Sequence, residues 1–390
     1  MKKICIVAFY HSEASLCLAK YLSKIENVEV DIYLICDLLR DKGYMPGIEY
    51  FNASKKLGIC KLTKHSCPVI INDSVGLPVN YHLLRLLSFS SKLLFINKLI
   101  LKHSIKQIRS KHYDAINIVG HMPWVEYIHD YFKGENIIHT FHEVGGHSAD
   151  GKSTPLLRKV INDGTKVILP SNSTYNRFMA IKGVNENKTA NIPVGEHETL
   201  MLYEKSIDMH LNLKHNLPTL LFYGFIKPYK GLDTLAEAYK MLGSFTSSFN
   251  LIIAGAGADP ALNYFKEKKD VVVLNRFLTD EEMMYLNRIS DVVLLPYHSA
   301  SQSGIVLTSF MFGNPIISTS VGALSETINN GVNGLLVNPD SPKEFANAMK
   351  RLVTDKDLYD HLSHGALQFG HGDEYDWNNI AKKTLDFYFM

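Results

Sequence analysis

Short, uninterrupted apolar runs recur along this 390-residue chain, each followed by a stretch with helical periodicity. Residues 4–9 and 28–36 open the series, with a helical stretch over about 12–24 between them and Ser12 as its N-cap. Residues 115–119, 137–141 and 166–170 continue it. An apolar run of about four to eight residues suits a strand buried on both faces. Strands separated by helices predict a parallel, doubly wound sheet.

The pattern then restarts. Runs at 219–223, 251–254, 271–274, 292–295, 316–318 and 334–337 alternate with helical stretches such as 232–242, 280–289 and 341–353. The chain therefore reads as two similar α/β domains, 1–198 and 218–371, joined by a polar linker over 199–217. With 46% hydrophobic and 21% charged residues it can bury a substantial core and is not a disordered segment. A formal net charge of +2 argues against a dedicated nucleic-acid binder. The sum hides an asymmetry, because residues 1–200 hold 25 Lys/Arg against 18 Asp/Glu and residues 201–390 hold 16 against 21.

Cys5, Cys17, Cys36, Cys60 and Cys67 all lie near the start, odd in number and without a C-x-x-C pair, which disfavours a disulfide framework or a zinc ribbon. No signal-peptide pattern and no apolar run of membrane-spanning length are visible, so a cytoplasmic protein is expected. Residues 74–113 contain seven Lys/Arg and no Asp or Glu. Residues 83–109 within them read as one or two basic amphipathic helices. Such helices either cover the sheet or also meet an anionic membrane from the cytoplasmic side.

Two segments carry chemistry. In Leu221-Phe-Tyr-Gly224-Phe-Ile-Lys227-Pro-Tyr-Lys230-Gly231-Leu-Asp233 a strand enters a glycine turn, two lysines stand three apart, and a helix follows. Glycine lets backbone approach a diphosphate, and ammonium groups beside a helix N-terminus neutralise it. In Tyr297-His-Ser-Ala-Ser301-Gln302-Ser303-Gly304-Ile305-Val-Leu-Thr308 a polar loop precedes an apolar helix, giving a second anion-binding terminus.

Together with "LIIAGAG", "VVVLNRFLTDEEMMYLNRISDVVLLPY" and "GNPIISTSVGALSETINNGVNGLLV", these segments resemble the nucleotide-binding half of retaining GT-B glycosyltransferases, in particular glycosyltransferase family 4. The resemblance spans about 120 residues; it is looser in the first half, at "IHTFHEVGGH" and "VILPSNSTYNRFMA…IPVG". It implies two Rossmann-like domains facing across a cleft, and a terminal helix over 372–390 that returns to the first domain. Lys227 and Lys230 would contact the donor diphosphate, beside the Gly224 turn. Ser303, Gly304 and Ile305 would offer backbone amides, Phe277 would flank the nucleobase, and Glu326 would follow the family's glycine-loop position. His142 would face the donor sugar from the first domain. The family's two glutamates, eight apart, are missing: one register places Ala300 and Thr308 there, the other Ser301 and Ser309. Gln302 and Thr308 can substitute partly as hydrogen-bond partners.

The resemblance implies glycosyl transfer from a nucleotide-diphosphate sugar to a hydroxyl of a glycan or lipid-linked acceptor, with retention, in cell-surface polysaccharide synthesis. It implies neither a cofactor nor a metal, since lysines can replace a cation's charge. A catalytically silent sugar-nucleotide-binding subunit is the alternative raised by the missing glutamates. Other patterns weigh less. His142-Glu-Val-Gly-Gly-His147 misses the spacing of a zinc-protease helix, and Asp355-Lys-Asp357 reads as solvated surface. Gly255 and Gly257 lack the third glycine of a dinucleotide fingerprint, and the first βα turn has none, which disfavours an NAD-linked oxidoreductase.

Overall fold

The computed structural model describes residues 1–9, 12–37, 56–64, 66–87, 94–120, 123–144, 154–204, 207–300 and 304–390. The chain divides into two compact units, Met1–Tyr203 with Asp373–Met390, and Glu204–Gly372. Within the span read as a linker, Thr199, Leu200 and Tyr203 are buried in the first unit. Lys214 donates its backbone N–H to Asn250 of the second.

The first unit is built on eight strands: β1 (Lys2–Ala8), β2 (Val28–Asp37), β3 (Gly58–Lys61), β4 (Val79–Leu86), β5 (Ala115–Val119), β6 (Ile137–Thr140), β7 (Lys166–Leu169) and β8 (Thr189–Asn191). Their order is β3-β4-β2-β1-β5-β6-β7-β8, with β3 antiparallel to β4 and the other neighbours parallel. Ile4 to Ala8 are all buried, because helices cover both faces of the sheet.

The structure corrects the helical expectation over 83–109. Residues 79–86 are strand β4, paired with β2 from Val30↔Val79 to Asp37↔Leu86, and among the described residues of the stretch the helix is Leu94–Arg109. Leu83, Leu84 and Leu86 are buried between two neighbouring strands, and such a run cannot be told from a buried helix by periodicity. The basic excess of this stretch is also largely committed within the fold. Arg85 is buried, Lys111 pairs with Asp31, Arg109 pairs with Glu135, and Lys98 lies over the Tyr127 ring. The terminal helix Trp377–Phe389 packs against helix Ser12–Ser23. Trp377 Nε1 donates to the Glu196 carbonyl, and Asn136 and Lys166 donate to the Tyr388 carbonyl near the helix end.

The second unit has six parallel strands: β9 (Thr219–Tyr223), β10 (Asn250–Ala254), β11 (Val271–Leu274), β12 (Val292–Leu295), β13 (Ile316–Thr319) and β14 (Gly334–Val337). Their order is β11-β10-β9-β12-β13-β14. Numbered within the unit this is 3-2-1-4-5-6, the doubly wound order in which ligands bind where the winding reverses, beyond the carboxyl ends of β9 and β12. Asp355 proves structural: it caps helix Lys356–Leu367 by accepting from the Leu358 N–H.

Candidate functional site

The loops after β9 and β12 are joined at that reversal point. After β9 the chain turns at Gly224, passes through a short 3-10 turn at Pro228–Lys230, and enters helix Leu232–Leu242 at Gly231. Gly224 has φ +106°, and an added Cβ would stand 3.0 Å from Ile305 Cδ1 and 3.4 Å from Lys230 Nζ. Gly224, Lys230 and Ile305 therefore converge, and a side chain at Gly224 would intrude among them. Gly231 has φ +68°, and its Cβ would stand 1.7 Å from the Pro296 carbonyl oxygen, so only glycine lets the two loops touch. The His298 N–H donates to the Tyr229 carbonyl (2.8 Å), sealing the contact.

The two lysines, three apart in sequence, meet different environments. Lys230 is only 8% exposed, and its Nζ donates to the Tyr297 hydroxyl at 2.6 Å. The ammonium also stands 4.5 Å from the centre of the Tyr297 ring. Burial lowers its pKa from 10.5 to about 8, because desolvation penalises the charged form, and no carboxylate among the described residues pairs with it. Lys227 is exposed on the extended residue before the turn, its Nζ 6.0 Å from the Phe225 ring centre. Phe225 in turn lies 6.1 Å from Phe277, so an aromatic pair stands beside Lys227.

Helix Gly304–Met311 begins after the β12 loop. Gln302 and Ser303, with Ser301, lie outside the described residues. Ser309 is fully buried, and its hydroxyl contacts Asn287 Oδ1 (3.1 Å) and the Ile305 carbonyl (2.8 Å), so it serves the interior of the unit. Thr308 is also buried. Glu326 is half-buried on the short helix Leu324–Thr327 after β13. The loops after β12 and β13 touch as well, since a Cβ on Gly322 would meet the Ala300 carbonyl oxygen at 1.6 Å.

Reading the sequence missed three features here. Nothing along the chain marks Tyr297, because its partner Lys230 is 67 positions away. Phe225 does carry a local signal, an exposed aromatic after a strand-end glycine. His298 bridges Asp233 (Nε2 to Oδ1, 2.9 Å) and Asp340 (Nδ1 to Oδ1, 2.6 Å). Its pKa is raised: the two carboxylates that favour imidazolium outweigh its burial, which opposes it.

His142 belongs to the first unit. It follows β6, is 5% exposed, and lines a small apolar cavity with Asn117, Thr140, Trp377 and Thr384. Residues 145–153, including His147 of the near-miss zinc motif, lie outside the described residues.

The glycosyl transferases group 1 family matches residues 217–355. An uncharacterised glycosyltransferase of Methanocaldococcus jannaschii is 26% identical over 292 residues, covering 71% of this chain and 72% of the relative. A D-inositol 3-phosphate glycosyltransferase of Thermobispora bispora is 28% identical over 191 residues, but the match spans 46% of this chain and less than half of that relative, 44%. Among solved structures, the sucrose-phosphate synthase of Thermosynechococcus elongatus superposes with a TM-score of 0.71 at 17% identity, over 100% of this chain and 98% of the other. HepE of Anabaena, solved in complex with UDP and glucose, gives 0.67 at 17% identity over 99% of each chain. Residues 217–355 thus form a glycosyl transferases group 1 domain on β9 to β14, and the chain as a whole has the two Rossmann-like units of the GT-B fold.

Proposed function

We propose that the second unit binds a nucleoside-diphosphate sugar at the carboxyl ends of β9 and β12, and that the chain transfers its sugar, with retention, to a hydroxyl of a glycan or lipid-linked acceptor. The observation that carries this reading is Lys230: a buried ammonium held by Tyr297, without a carboxylate partner among the described residues, at the winding reversal of a 3-2-1-4-5-6 sheet. An anion is the ligand that such a cation lacks. The HepE complex with UDP and glucose supports a UDP-sugar as the first donor to test.

In this reading Lys230 and Lys227 stabilise negative charge as it grows on the leaving diphosphate, which accepts the proton of the attacking hydroxyl on the same sugar face. Gly224 leaves room for the phosphates, and the Gly304 and Ile305 amides at a helix N-terminus add further donors. Phe277 with Phe225 offers an apolar flank to the base. Gln302, Ser303, Thr308, Glu326 and His142 remain proposed contacts to phosphate or sugar.

The proposed setting is cell-surface polysaccharide synthesis at an anionic membrane. Helix Leu94–Arg109 exposes Phe95 (73%), Leu99 (55%) and Ile96 (40%), with Lys102 and Lys106 exposed on the same helix. Apolar residues with flanking lysines suit an anionic lipid surface. No helix among the described residues is long and apolar enough to cross a membrane.

The test is a panel of UDP-, GDP-, ADP- and CMP-sugars, scored for binding and then for transfer to lipid-linked and free glycan acceptors. Binding with transfer supports the proposal. Binding without transfer or donor hydrolysis favours a silent partner subunit, and no nucleotide binding refutes the site.

A further inference from the structure

At the opposite end of the first sheet lies a second polar site. The register brings its residues together on the face covered by helix Leu94–Arg109. Lys3 on β1 pairs with Glu29 on β2, Asp31 with Asn80 on β4, Tyr33 with His82, and His82 with Lys61 on β3. These positions, Tyr33 excepted, and residues 110–113 just before β5 surround a cavity of about 570 Å³. That volume is within the range of small-molecule pockets. Doubly wound sheets place their ligands at the carboxyl ends, so a polar cavity at the amino ends is not explained by the fold.

Asp31, 5% exposed, is fully engaged: it accepts from Lys111 Nζ (2.6 Å), the Tyr113 hydroxyl and Asn80 Nδ2 (2.8 Å). His82 is not. It is 6% exposed and lines the cavity, and neither ring nitrogen has a hydrogen-bond partner among the described residues. Its Nε2 stands 4.0 Å from Asp31 Oδ2, beyond bonding reach, while the Tyr33 ring stacks on it at 4.6 Å and fixes its plane. A buried donor left unmet costs about 1–3 kcal/mol. A ligand in the cavity would recover it.

The charge around the cavity selects the ligand. Lys3, Lys61 and Lys111 face Glu29 and Asp31, with His112 at the rim. Lys111 is spent on Asp31, whereas Lys3 and Lys61 form no ion pair among the described residues. Two unpaired ammonium groups act as point charges, which suit a phosphate.

We propose that this cavity binds a small phosphomonoester, held by Lys3 and Lys61 and by a hydrogen bond from His82, independently of the nucleotide site in the second unit. Burial beside Lys111 and Lys61 pushes the His82 pKa down to about 4, so the imidazole is neutral and a bound phosphate would raise it.

The experiment is calorimetric titration of the full chain with glycerol 1-phosphate, with glycerol and citrate as comparators. Lys3→Gln/Lys61→Gln is the variant, since both side chains are exposed and their loss should leave the fold intact. Saturable binding of glycerol 1-phosphate is expected, weakened at least about tenfold in the variant. UDP should neither compete with it nor bind the variant differently. Four results would overturn the proposal: no binding at millimolar ligand, undiminished binding by the variant, displacement by UDP, or citrate binding as tightly. If the double variant unfolds, His82→Phe provides the same comparison. The outcome does not depend on whether the nucleotide site exists, because the two are scored by different ligands.

Discussion

Replacing Lys230 by methionine should make the protein more stable and a poorer nucleotide binder. Lowering a lysine pKa from 10.5 to about 8 means that holding the ammonium in the fold costs about 3 kcal/mol at pH 7. Methionine has a similar reach and no charge. Its own penalty is loss of the donor to Tyr297 Oη, about 1–2 kcal/mol, moderated because that hydroxyl can turn its hydrogen elsewhere. The net expectation is a gain of about 1–2 kcal/mol at pH 7. The pH dependence follows from the same numbers. Between about pH 8 and 10.5 the folded wild type binds fewer protons than the unfolded chain, so its stability rises with pH in that window. The variant lacks this rise, and its advantage should shrink and vanish toward pH 10. Urea unfolding followed by far-UV circular dichroism, at pH 7 and pH 9.5, measures both effects. UDP titration of the same samples should show about 10–100-fold weaker binding, the loss of one charge-assisted hydrogen bond. A variant less stable than wild type at pH 7, an advantage that persists unchanged at pH 9.5, or unaltered UDP affinity would each refute the reasoning.

Three further expectations can be checked. Gly231→Ala places a Cβ 1.7 Å from the Pro296 carbonyl, so it should destabilise the chain by several kcal/mol or prevent folding, read by soluble yield and thermal melting; a melting point within a degree or so of wild type contradicts the loop contact. The raised His298 pKa means that its clamp on Asp233 and Asp340 is complete below the unfolded value and is lost as pH rises through the folded one. The melting-point deficit of His298→Gln should therefore be larger at pH 6 than at pH 8.5, and a constant deficit refutes the clamp. Phe95→Ser/Leu99→Ser removes two exposed apolar side chains and should lower binding to anionic liposomes at low salt, while stability changes by no more than about 0.5 kcal/mol.

The alternation of strand and helix could be read from the sequence because each parallel strand announces itself as a short apolar run. The segments 219–223, 271–274, 292–295 and 334–337 coincide with the observed strands to the residue. The same criterion failed at Val79–Leu86: its apolar residues continue into those of a real helix, and local periodicity holds no record of what lies on either side. It was silent on the three-residue β8 and on β3, whose Gly-Ile-Cys-Lys pattern is too short to distinguish from loop.

For the site, sequence alone determined the glycine turn, the two lysines and the helix that follows, since these are contiguous and their chemistry is local. Tertiary structure decided which lysine is buried. Only the neighbouring of β9 and β12 brings Tyr297 under Lys230, and only desolvation between those loops moves the lysine's pKa. The polar cavity at the amino ends of the first sheet is likewise a product of register: Lys3, Asp31, Lys61 and His82 come from four strands, and no spacing along the chain marks them as neighbours. Hydrophobic periodicity is a property of one segment, whereas burial of a charge depends on every segment packed around it.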